Sequence, residues 1–260
     1  MIQVDLIKNY FPTLLQNNSI FYKYMIKEYL QLLILDYLST SPYVRKLSFI
    51  GGTNLRLILG IDRFSEDIDF DCSDLSRDEF IKITDDVILF LQRNGFRIEL
   101  KDHESDKIQA FRRSIYFPEL MFNLGLSGHR KERFLIKLEA QDQQVDYQPT
   151  ITYVKGCGFF FPFPVPSVGV ICAMKIAAML SRQKGRDMYD VIFLLSQTEP
   201  DYPFLSEKCG IRNLDELKEK TQEMLAKIDL KKKMKDFEHL IFNKNNSRKI
   251  LYIEEFIRGL

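Results

Sequence analysis

The sequence predicts an α+β protein in which a mixed-sheet lobe with flanking helices precedes a mainly helical lobe. Segments with the alternating pattern of strands lie before residue 146, and the segments after residue 167 have the spacing of helices. A stretch rich in Phe and Pro separates the two regions. We therefore expect two lobes, residues 1–146 with the sheet and its N-terminal helices, and residues 147–260 with mainly helices.

The first lobe is predicted to begin with helices, because the apolar residues of 2–40 recur every three to four positions. Residues 46–50 alternate and run into Gly51-Gly52, which indicates a strand followed by a turn. We expect Thr53 to be the N-cap of the helix that follows. The remaining predictions are helices at 53–59 and 78–93, and strands at 67–71, 96–100, 107–117 and 133–140.

The second lobe is predicted to follow a loop at 158–167, with the sequence GFFFPFPVPS. Proline has no backbone N–H and is excluded from regular helices and central strands. We expect the Phe159–Phe163 cluster to serve packing between the lobes rather than base stacking. Helical spacing then predicts helices at 168–183, 186–197, 213–228, 230–243 and 249–258.

The composition excludes several classes of protein. The 260-residue chain has 37 Lys and Arg against 36 Asp and Glu, and 45% of its residues are hydrophobic, which excludes a disordered tail or a collagen-like repeat. The four cysteines form no CxxC pair, as is typical of a reducing compartment, and no apolar run is long enough to span a membrane. We therefore expect a cytoplasmic protein, and a near-neutral net charge leaves nucleic-acid binding open.

A glycine pair followed by spaced acids is the most informative feature. Gly51-Gly52 between a strand and a helix forms a turn whose backbone N–H groups can approach a phosphate. Asp67 and Asp69, two apart on a strand, face the same way and suit Mg²⁺, which prefers oxygen ligands. Alone, each feature is more often a turn or a solvated surface, but their order and spacing favour a nucleotidyl-transfer site. Asp71 shares the strand face, and we expect it to be a bystander.

The residues of this segment resemble a known motif. The pattern GGT, LRL, G, RFS and DxDF within residues 51–70 is similar to the first motif of the AbiEii/AbiGii toxin family, part of the DNA polymerase β-like nucleotidyltransferase superfamily. The resemblance implies that Asp67 and Asp69 ligate catalytic metal ions. It also implies that the nucleoside triphosphate (NTP) is bound by a set of small residues: Gly51, Gly52, Thr53 and Ser65.

The superfamily also implies a third acid on a neighbouring strand. Glu139, in the alternating segment 134–139, is the candidate metal ligand, and Asp142 replaces it if the strand register differs. A slip of one residue would turn either side chain to the opposite face of the sheet. An ordinary exposed strand acid is the alternative interpretation of Glu139.

A second cluster of charges follows in the helical lobe. Four cations fall in one short region and are suited to holding a triphosphate or the leaving pyrophosphate: Lys175, Arg182, Lys184 and Arg186. Either one helix continues through them, or Gly185 ends it and a second helix begins at Arg186. Asp187 and Asp190 could orient the cations or accept a proton from the attacking hydroxyl. A solvated amphipathic helix is the alternative.

The spacing of these residues is similar to the later motif of the same family. The resemblance implies catalytic roles for Lys175 and Asp190 and NTP binding by Arg182 and Arg186. It implies an enzyme that uses Mg²⁺ or Mn²⁺ to move NMP from an NTP to a hydroxyl, with RNA, and tRNA in particular, as the leading acceptor. It further implies a toxin of a toxin–antitoxin or phage-defence system, and therefore an antitoxin protein as partner.

Two rival functions remain open from the sequence. An enzyme of the same fold could modify a protein or a small molecule such as an antibiotic. A non-catalytic NTP-binding module would be the better account if Asp67 and Asp69 pointed apart or if no third carboxylate reached them.

Overall fold

A computed structural model describes residues 2–100 and 110–260, so residues 107–109 of one predicted strand lie outside the described part. The chain forms two compact units. The first unit comprises Met1–Leu59, Phe64–Gln144 and Thr150–Val165, and the second comprises Gly60–Arg63, Val145–Pro149 and Pro166–Leu260. We expected a single division at residue 146. The structure instead places Thr150–Val165 in the first unit and Gly60–Arg63 in the second.

The first unit contains a five-stranded mixed sheet, a hairpin and short and long helices. Its strands are β1 (Leu47–Ile50), β2 (Ile68–Cys72), β3 (Glu99–Leu100), β4 (Phe111–Tyr116), β5 (Leu135–Gln141), β6 (Thr150–Gly156) and β7 (Phe159–Val165). Its α-helices are α1 (Val4–Lys8), α2 (Thr13–Gln16), α3 (Tyr22–Ser39), α4 (Gly51–Leu57), α5 (Arg77–Arg93) and α6 (Leu120–Asn123), and 3₁₀ turns cover Ser19–Phe21 and Pro42–Lys46.

The sheet has the strand order β1-β2-β5-β4-β3. The β2–β5 pair is parallel and the other pairs are antiparallel, which confirms the predicted mixed sheet. In the parallel pair Asp69 lies opposite Glu139, and in the next pair Glu139 lies opposite Arg112. Partners in register point to the same face of a sheet, so these three side chains share one face.

The opposite face of the sheet is apolar and packs into the core. Phe49 and Phe70 are partners in β1 and β2, and both contact Phe163 of β7, with ring centroids 6.0 and 5.8 Å apart. All three rings are buried. The alternation of acids with Ile68 and Phe70 in β2 therefore has the expected physical basis, with one face polar and one buried.

The Phe- and Pro-rich segment is a strand, and the predicted loop at 158–167 is wrong over most of its length. β7 pairs with β6 as an antiparallel hairpin. Both strands of a two-stranded sheet are edge strands, so Pro162 and Pro164 cost no central-strand hydrogen bond. The buried residues Phe161 and Phe163 of this strand pack within the first unit rather than forming a linker.

The helix after β1 also begins earlier than predicted. α4 starts at Gly51 with Ile50 at the N-cap position, so Thr53 lies inside the helix and is not its cap. Gly51 adopts φ +81°, a conformation that glycine reaches without steric cost, and this lets the helix follow the strand directly.

The second unit is mainly helical. It contains α7 (Val168–Arg182), α8 (Gly185–Leu195), α9 (Tyr202–Cys209), α10 (Leu214–Leu225), α11 (Leu230–Lys235) and α12 (Ile253–Arg258), with 3₁₀ segments at Glu238–Leu240 and Lys244–Tyr252. The sequence did not predict α9, whose N-cap Asp201 accepts a hydrogen bond from the Phe204 N–H. The helix predicted at 230–243 ends early. No helix in the described ranges could cross a membrane.

α7 and α8 are separate helices. Gln183 ends α7 in the left-handed conformation, and α8 begins at Gly185. A side chain at Gly185 would collide with the carbonyl of Lys233, so glycine is required at this close approach. Arg186 and Asp187 therefore open the second helix.

Candidate active site

The polar face of the sheet brings together the three acids that the sequence singled out. Asp69 projects from β2, Glu139 projects from the opposite position of β5, and Asp67 lies two residues before Asp69. The side chains of Asp67 and Glu139 are 22% and 20% exposed, so solvent and ligands reach them. Asp142 lies beyond the end of β5, where its carboxylate accepts a hydrogen bond from the Gln144 N–H.

Two cations lie on the same face. Lys137, two residues before Glu139 in β5, places its Nζ 3.7 Å from Asp67 Oδ1. Arg112 in β4 forms a two-pronged pair with Glu139, with Nε 2.7 Å from Oε1 and Nη2 2.9 Å from Oε2. Both acids are thus partly neutralised by side chains that are 35% and 40% exposed. The sequence interpretation gave Lys137 no role and considered Arg112 only for contact with RNA.

The environment of this face shifts the pKa values of Asp67 and Arg112. Burial raises the pKa of Asp67 above its ordinary value; Lys137 opposes the shift, and the negative charges of Glu139 and Glu66 add to it. The pKa of Arg112 is also raised, first by its hydrogen bond to Glu139. Crowded carboxylates favour a nearby cation because each makes ionisation of the next more costly.

Asp69 is placed by the glycine turn. A Cβ on Gly51 would collide with Asp69 Oδ2, so the carboxylate occupies the space that any larger residue at 51 would fill. The first residue of α4 and the central acid of β2 are therefore in direct contact. The close approach explains why glycine stands at this position, in addition to the positive φ.

The entry to β2 is held by buried polar groups. The Thr53 hydroxyl donates to the backbone carbonyl of Asp67, and Thr53 is fully buried. Gln31 of α3, also buried, donates its side-chain amide to the carbonyl of Ser65 at 3.2 Å. These bonds fix the backbone immediately before Asp69. Gln31 interrupts an apolar run in the sequence, and a polar residue in such a run was the available signal for a buried hydrogen-bonding role.

The donor chemistry of this face fits a divalent cation. Asp67 and Asp69 offer hard oxygen ligands, and Mg²⁺ is usually held by one or two carboxylates together with waters and phosphates. Within residues 2–100 and 110–260, no three Asp, Glu, His or Cys side chains lie close enough to hold a metal ion by themselves. Glu139 is paired with Arg112 and would have to leave it to become a third ligand.

Asp71 differs from the other strand acids. It is buried, and its carboxylate accepts a hydrogen bond from the Gln143 N–H at 2.9 Å. Asp71 thus ties β2 to the segment that follows β5. This placement supports the bystander role expected for it.

The second charge cluster is buried inside the helical unit. Arg63 donates Nε and Nη2 to the two carboxylate oxygens of Asp190, at 2.7 and 2.6 Å. Lys175 Nζ lies 2.8 Å from Asp190 Oδ2. The side chains of Arg63, Asp190 and Lys175 are 1%, 0% and 10% exposed. Burial by itself raises the pKa of Asp190, but Arg63 and then Lys175 outweigh it and hold the pKa below its ordinary value.

The remaining cations of this cluster are closer to the surface. Arg182 is exposed and pairs with the buried Asp187, with Nη2 2.8 Å from Oδ1. The other oxygen of Asp187 is buried and has no hydrogen-bond partner among the described residues. Lys184 is exposed and Arg186 half-buried. Arg63 is part of the first motif, but its role could not be predicted from the sequence because its partner Asp190 is 127 residues away in the chain.

A mixed sheet with two spaced acids beside a glycine turn, accompanied by a helical unit with a buried lysine, defines the nucleotidyltransferase class. A profile of the family described as "Nucleotidyl transferase AbiEii toxin, Type IV TA system" matches residues 33–245. The chain belongs to this family. It is therefore a nucleotidyltransferase of the toxin type, as the sequence resemblance implied.

Several solved structures are similar to the chain. JHP933 from Helicobacter pylori superposes with a TM-score of 0.55 and 20% identity, covering 91% of this chain and 90% of its own. MenT4, a nucleotidyltransferase toxin from Mycobacterium tuberculosis, has a TM-score of 0.59 and 17% identity, covering 100% of this chain and 91% of its own. At these identities the likeness concerns the fold. No curated protein sequence matches the chain.

Proposed function

We propose that the protein transfers NMP from an NTP to a hydroxyl group of RNA, with tRNA as the first acceptor to test, and that the transfer depends on Mg²⁺ or Mn²⁺. One observation carries the proposal. Asp69 and Glu139 stand in register on adjacent strands, with Asp67 on the same face and Gly51 in contact with Asp69. This is an oxygen-rich face next to a helix start, which suits a metal-bound polyphosphate.

Asp67 and Asp69 would hold the divalent cation, with Glu139 as a further ligand after release from Arg112. When bound, such a cation supplies Lewis-acid stabilisation of the charge that develops on the phosphoryl oxygens. Gln31 and the Thr53 hydroxyl keep the backbone of 65–67 fixed, which restricts the aspartates to one geometry.

The phosphates of the NTP would be contacted by backbone N–H groups of Gly51, Gly52 and Thr53. Thr53 can contribute only its backbone, because its hydroxyl is buried and bonded to Asp67. The Ser65 hydroxyl has no protein partner in the described part of the chain and is half-buried, so it remains available to a phosphate oxygen. The family resemblance also implies phosphate binding by Lys175, Arg182 and Arg186, and this stays a prediction.

The acceptor is proposed to be RNA because cations accompany the acids on the polar face of the sheet. Arg112 and Lys137 are partly exposed and suited to phosphate contacts when a metal ion takes over neutralisation of the acids. Membership of a type IV toxin–antitoxin family supports a separate antitoxin protein as partner and a role in the cytoplasm. A phage-defence role is part of the same proposal.

The test is incubation of the protein with each labelled NTP, Mg²⁺ or Mn²⁺, and total RNA. The proposal expects label in a tRNA-sized band, its loss in Asp69→Ala, and its retention in Asp78→Ala, which removes an exposed acid from the first turn of α5. Label in protein or in a small molecule would move the acceptor to the rival class. Absence of label under every condition would favour a non-catalytic NTP-binding module.

A further inference from the structure

Three charged side chains in the helical unit form one buried network, and we infer that two of them are positioning residues for the third. Arg63 and Asp190 hold the ammonium group of Lys175 in a fixed place, and Asp190 does not serve as a proton acceptor. The inference rests on the proposed function for the role of Lys175, but the contacts that carry it are independent of the substrate. It assigns a role to Arg63, which neither the family resemblance nor the charge pattern gave.

Both oxygens of Asp190 are already occupied. Oδ1 accepts from Arg63 Nε, and Oδ2 accepts from Arg63 Nη2 and lies 2.8 Å from Lys175 Nζ. The carboxylate has no exposed surface. A general base must come within hydrogen-bond reach of the proton that it removes. A fully enclosed carboxylate with two cations on it cannot offer that access.

Lys175 is the least buried member of the network. Its side chain is 10% exposed, whereas those of Arg63 and Asp190 are 1% and 0% exposed. An ammonium group has three N–H donors, and Asp190 takes one of them. The other donors can be directed to an anionic ligand. The network therefore holds one ammonium group in a fixed place with N–H donors that Asp190 does not use.

The net charge of the network also favours binding of an anionic ligand by Lys175. Two cations and one carboxylate leave the trio with a net positive charge, so an approaching phosphate finds a favourable potential. Arg63 contributes a planar, two-pronged contact that Lys could not reproduce, because a guanidinium has fixed paired donors and an ammonium does not.

Arg63 is itself fixed by its neighbours in the chain. Asp62 accepts hydrogen bonds from the Tyr189 hydroxyl and from the Asn246 side-chain amide. Its carbonyl accepts from the Phe242 N–H, and Arg63 bridges to Ile241. The segment Gly60–Arg63 is thus bound on two sides within the helical unit, which holds the guanidinium in place before any ligand arrives.

The first test is a double-mutant cycle on nucleotide transfer with Asp190→Asn, Lys175→Met and the combined variant. If Asp190 acts through Lys175, each single change lowers kcat/KM by roughly a hundredfold and the combined variant lies within about threefold of the weaker single variant. If Asp190 acts as a proton acceptor, the two losses multiply. That outcome would overturn the inference. A fall in kcat for Asp190→Asn with loss of one limb of the pH–kcat profile would overturn it as well.

Arg63→Lys keeps the charge and provides a milder variant should Asp190→Asn fail to fold. We expect it to raise KM for the NTP more than it lowers kcat, since phosphate binding by Lys175 is disturbed while the acids of the sheet are intact. Glu216→Gln is the matched control, because it removes an acid from the exposed Arg212–Glu216 pair of the same unit. Equal losses in Arg63→Lys and Glu216→Gln would contradict the inference.

The second test does not depend on the reaction. Acylation of lysines is followed by peptide mass spectrometry in the full-length protein. Acylation needs the neutral amine. Once Asp190 is replaced by Asn, the positive charge of Arg63 favours the neutral form of Lys175. Lys175 should therefore be acylated at least about fivefold faster in Asp190→Asn than in the wild type. Lys232, with a side chain 84% exposed, should be unchanged. If the wild type transfers no nucleotide but Lys175 is labelled faster in Asp190→Asn, the proposed function fails and the positioning network stands. If the labelling rate of Lys175 is the same in Asp190→Asn and the wild type, the network is refuted.

Discussion

The two units contain carboxylates of the same chemistry in opposite settings. On the sheet, Asp67 and Glu139 are about one-fifth exposed, and each has one partly exposed cation beside it. In the helical unit, Asp190 is completely buried and paired with both Arg63 and Lys175. Asp67 and Glu139 can therefore exchange their cations for another ligand, whereas Asp190 cannot release its partners without leaving buried charges unpaired.

The difference teaches which acids can change partner during a reaction. A partly exposed ion pair contributes little to stability, so its replacement by a metal ion costs little. Breaking a buried pair leaves an uncompensated charge and costs about 3–5 kcal/mol. Burial therefore separates acids that look equivalent in the sequence. Partly exposed acids are candidate metal ligands, and a fully buried acid holds neighbouring side chains in place.

Removing a ligand acid should have the largest effect on activity. We expect Asp69→Asn to lower the rate of nucleotide transfer roughly a thousandfold, since loss of a metal ligand forfeits several kcal/mol of transition-state stabilisation. Steady-state kinetics with labelled NTP measure it, with Asp78→Asn as the exposed control. A loss below about tenfold would mean that Asp69 is not a ligand.

The contact between Gly51 and Asp69 gives the next largest effect. Gly51→Ala strains a residue at φ +81° and displaces the carboxylate, so transfer should fall roughly a hundredfold. Gly95→Ala is a matched control, because Gly95 has φ +84° and no atom within 4 Å of its added Cβ. Both variants should lose about 1–2 kcal/mol of unfolding free energy, measured by urea denaturation. Equal activity in the two would show that the close approach is unimportant.

The comparison also predicts opposite stability effects of two acid-to-amide changes. Because the folded protein raises the pKa of Asp67, ionisation opposes folding; this cost is absent below the unfolded pKa and fully present above the folded one. Asp67→Asn should therefore be more stable than the wild type at pH 7, and the gain should vanish as the pH falls below the unfolded pKa of Asp, about 4. Asp190→Asn should lose stability at pH 7. Urea denaturation at both pH values tests this, and a loss for Asp67→Asn at pH 7 would contradict it.

The smallest effect concerns the cation on Glu139. Arg112→Met frees this carboxylate, and because an exposed ion pair is worth up to about 1 kcal/mol, Mn²⁺ should bind at most about fivefold more tightly. Isothermal titration calorimetry measures the change, and Arg212→Met, which breaks the exposed Arg212–Glu216 pair of the helical unit, is the control. Weaker Mn²⁺ binding in Arg112→Met would exclude Glu139 as a ligand.

The sheet and the acid face were predictable because their signals are local. Alternation in 67–71 and 133–140 predicted β2 and β5, and the alternation of 67–71 placed Asp67 and Asp69 on one face. The register that brings Asp69 opposite Glu139 was not available from the sequence, which kept Asp142 as the reserve candidate under a slip of register. The pairing of the strands places Glu139 opposite Asp69 and Asp142 beyond the end of β5, and metal binding by Glu139 stays a prediction.

Other features depend on partners that are distant in the chain. The sequence singled out Asp190 because it follows a cluster of cations and matches the family's later motif, whereas its partner Arg63 lies 127 residues away in the chain. The Pro-rich segment resembled a loop because the rule against proline applies to central strands, and a hairpin has none. Long-range burial and edge position are properties of the fold that a short sequence window does not contain.

The short run Gly60–Arg63 belongs to the helical unit although the residues on either side belong to the sheet unit. The gene therefore cannot be divided into two self-sufficient halves at a single point. A fragment that stopped at residue 146 would carry Arg63 without the acid that neutralises it, and the complementary fragment would carry Asp190 without its guanidinium. A cut at residue 146 would therefore separate the two partners of the buried Arg63–Asp190 ion pair.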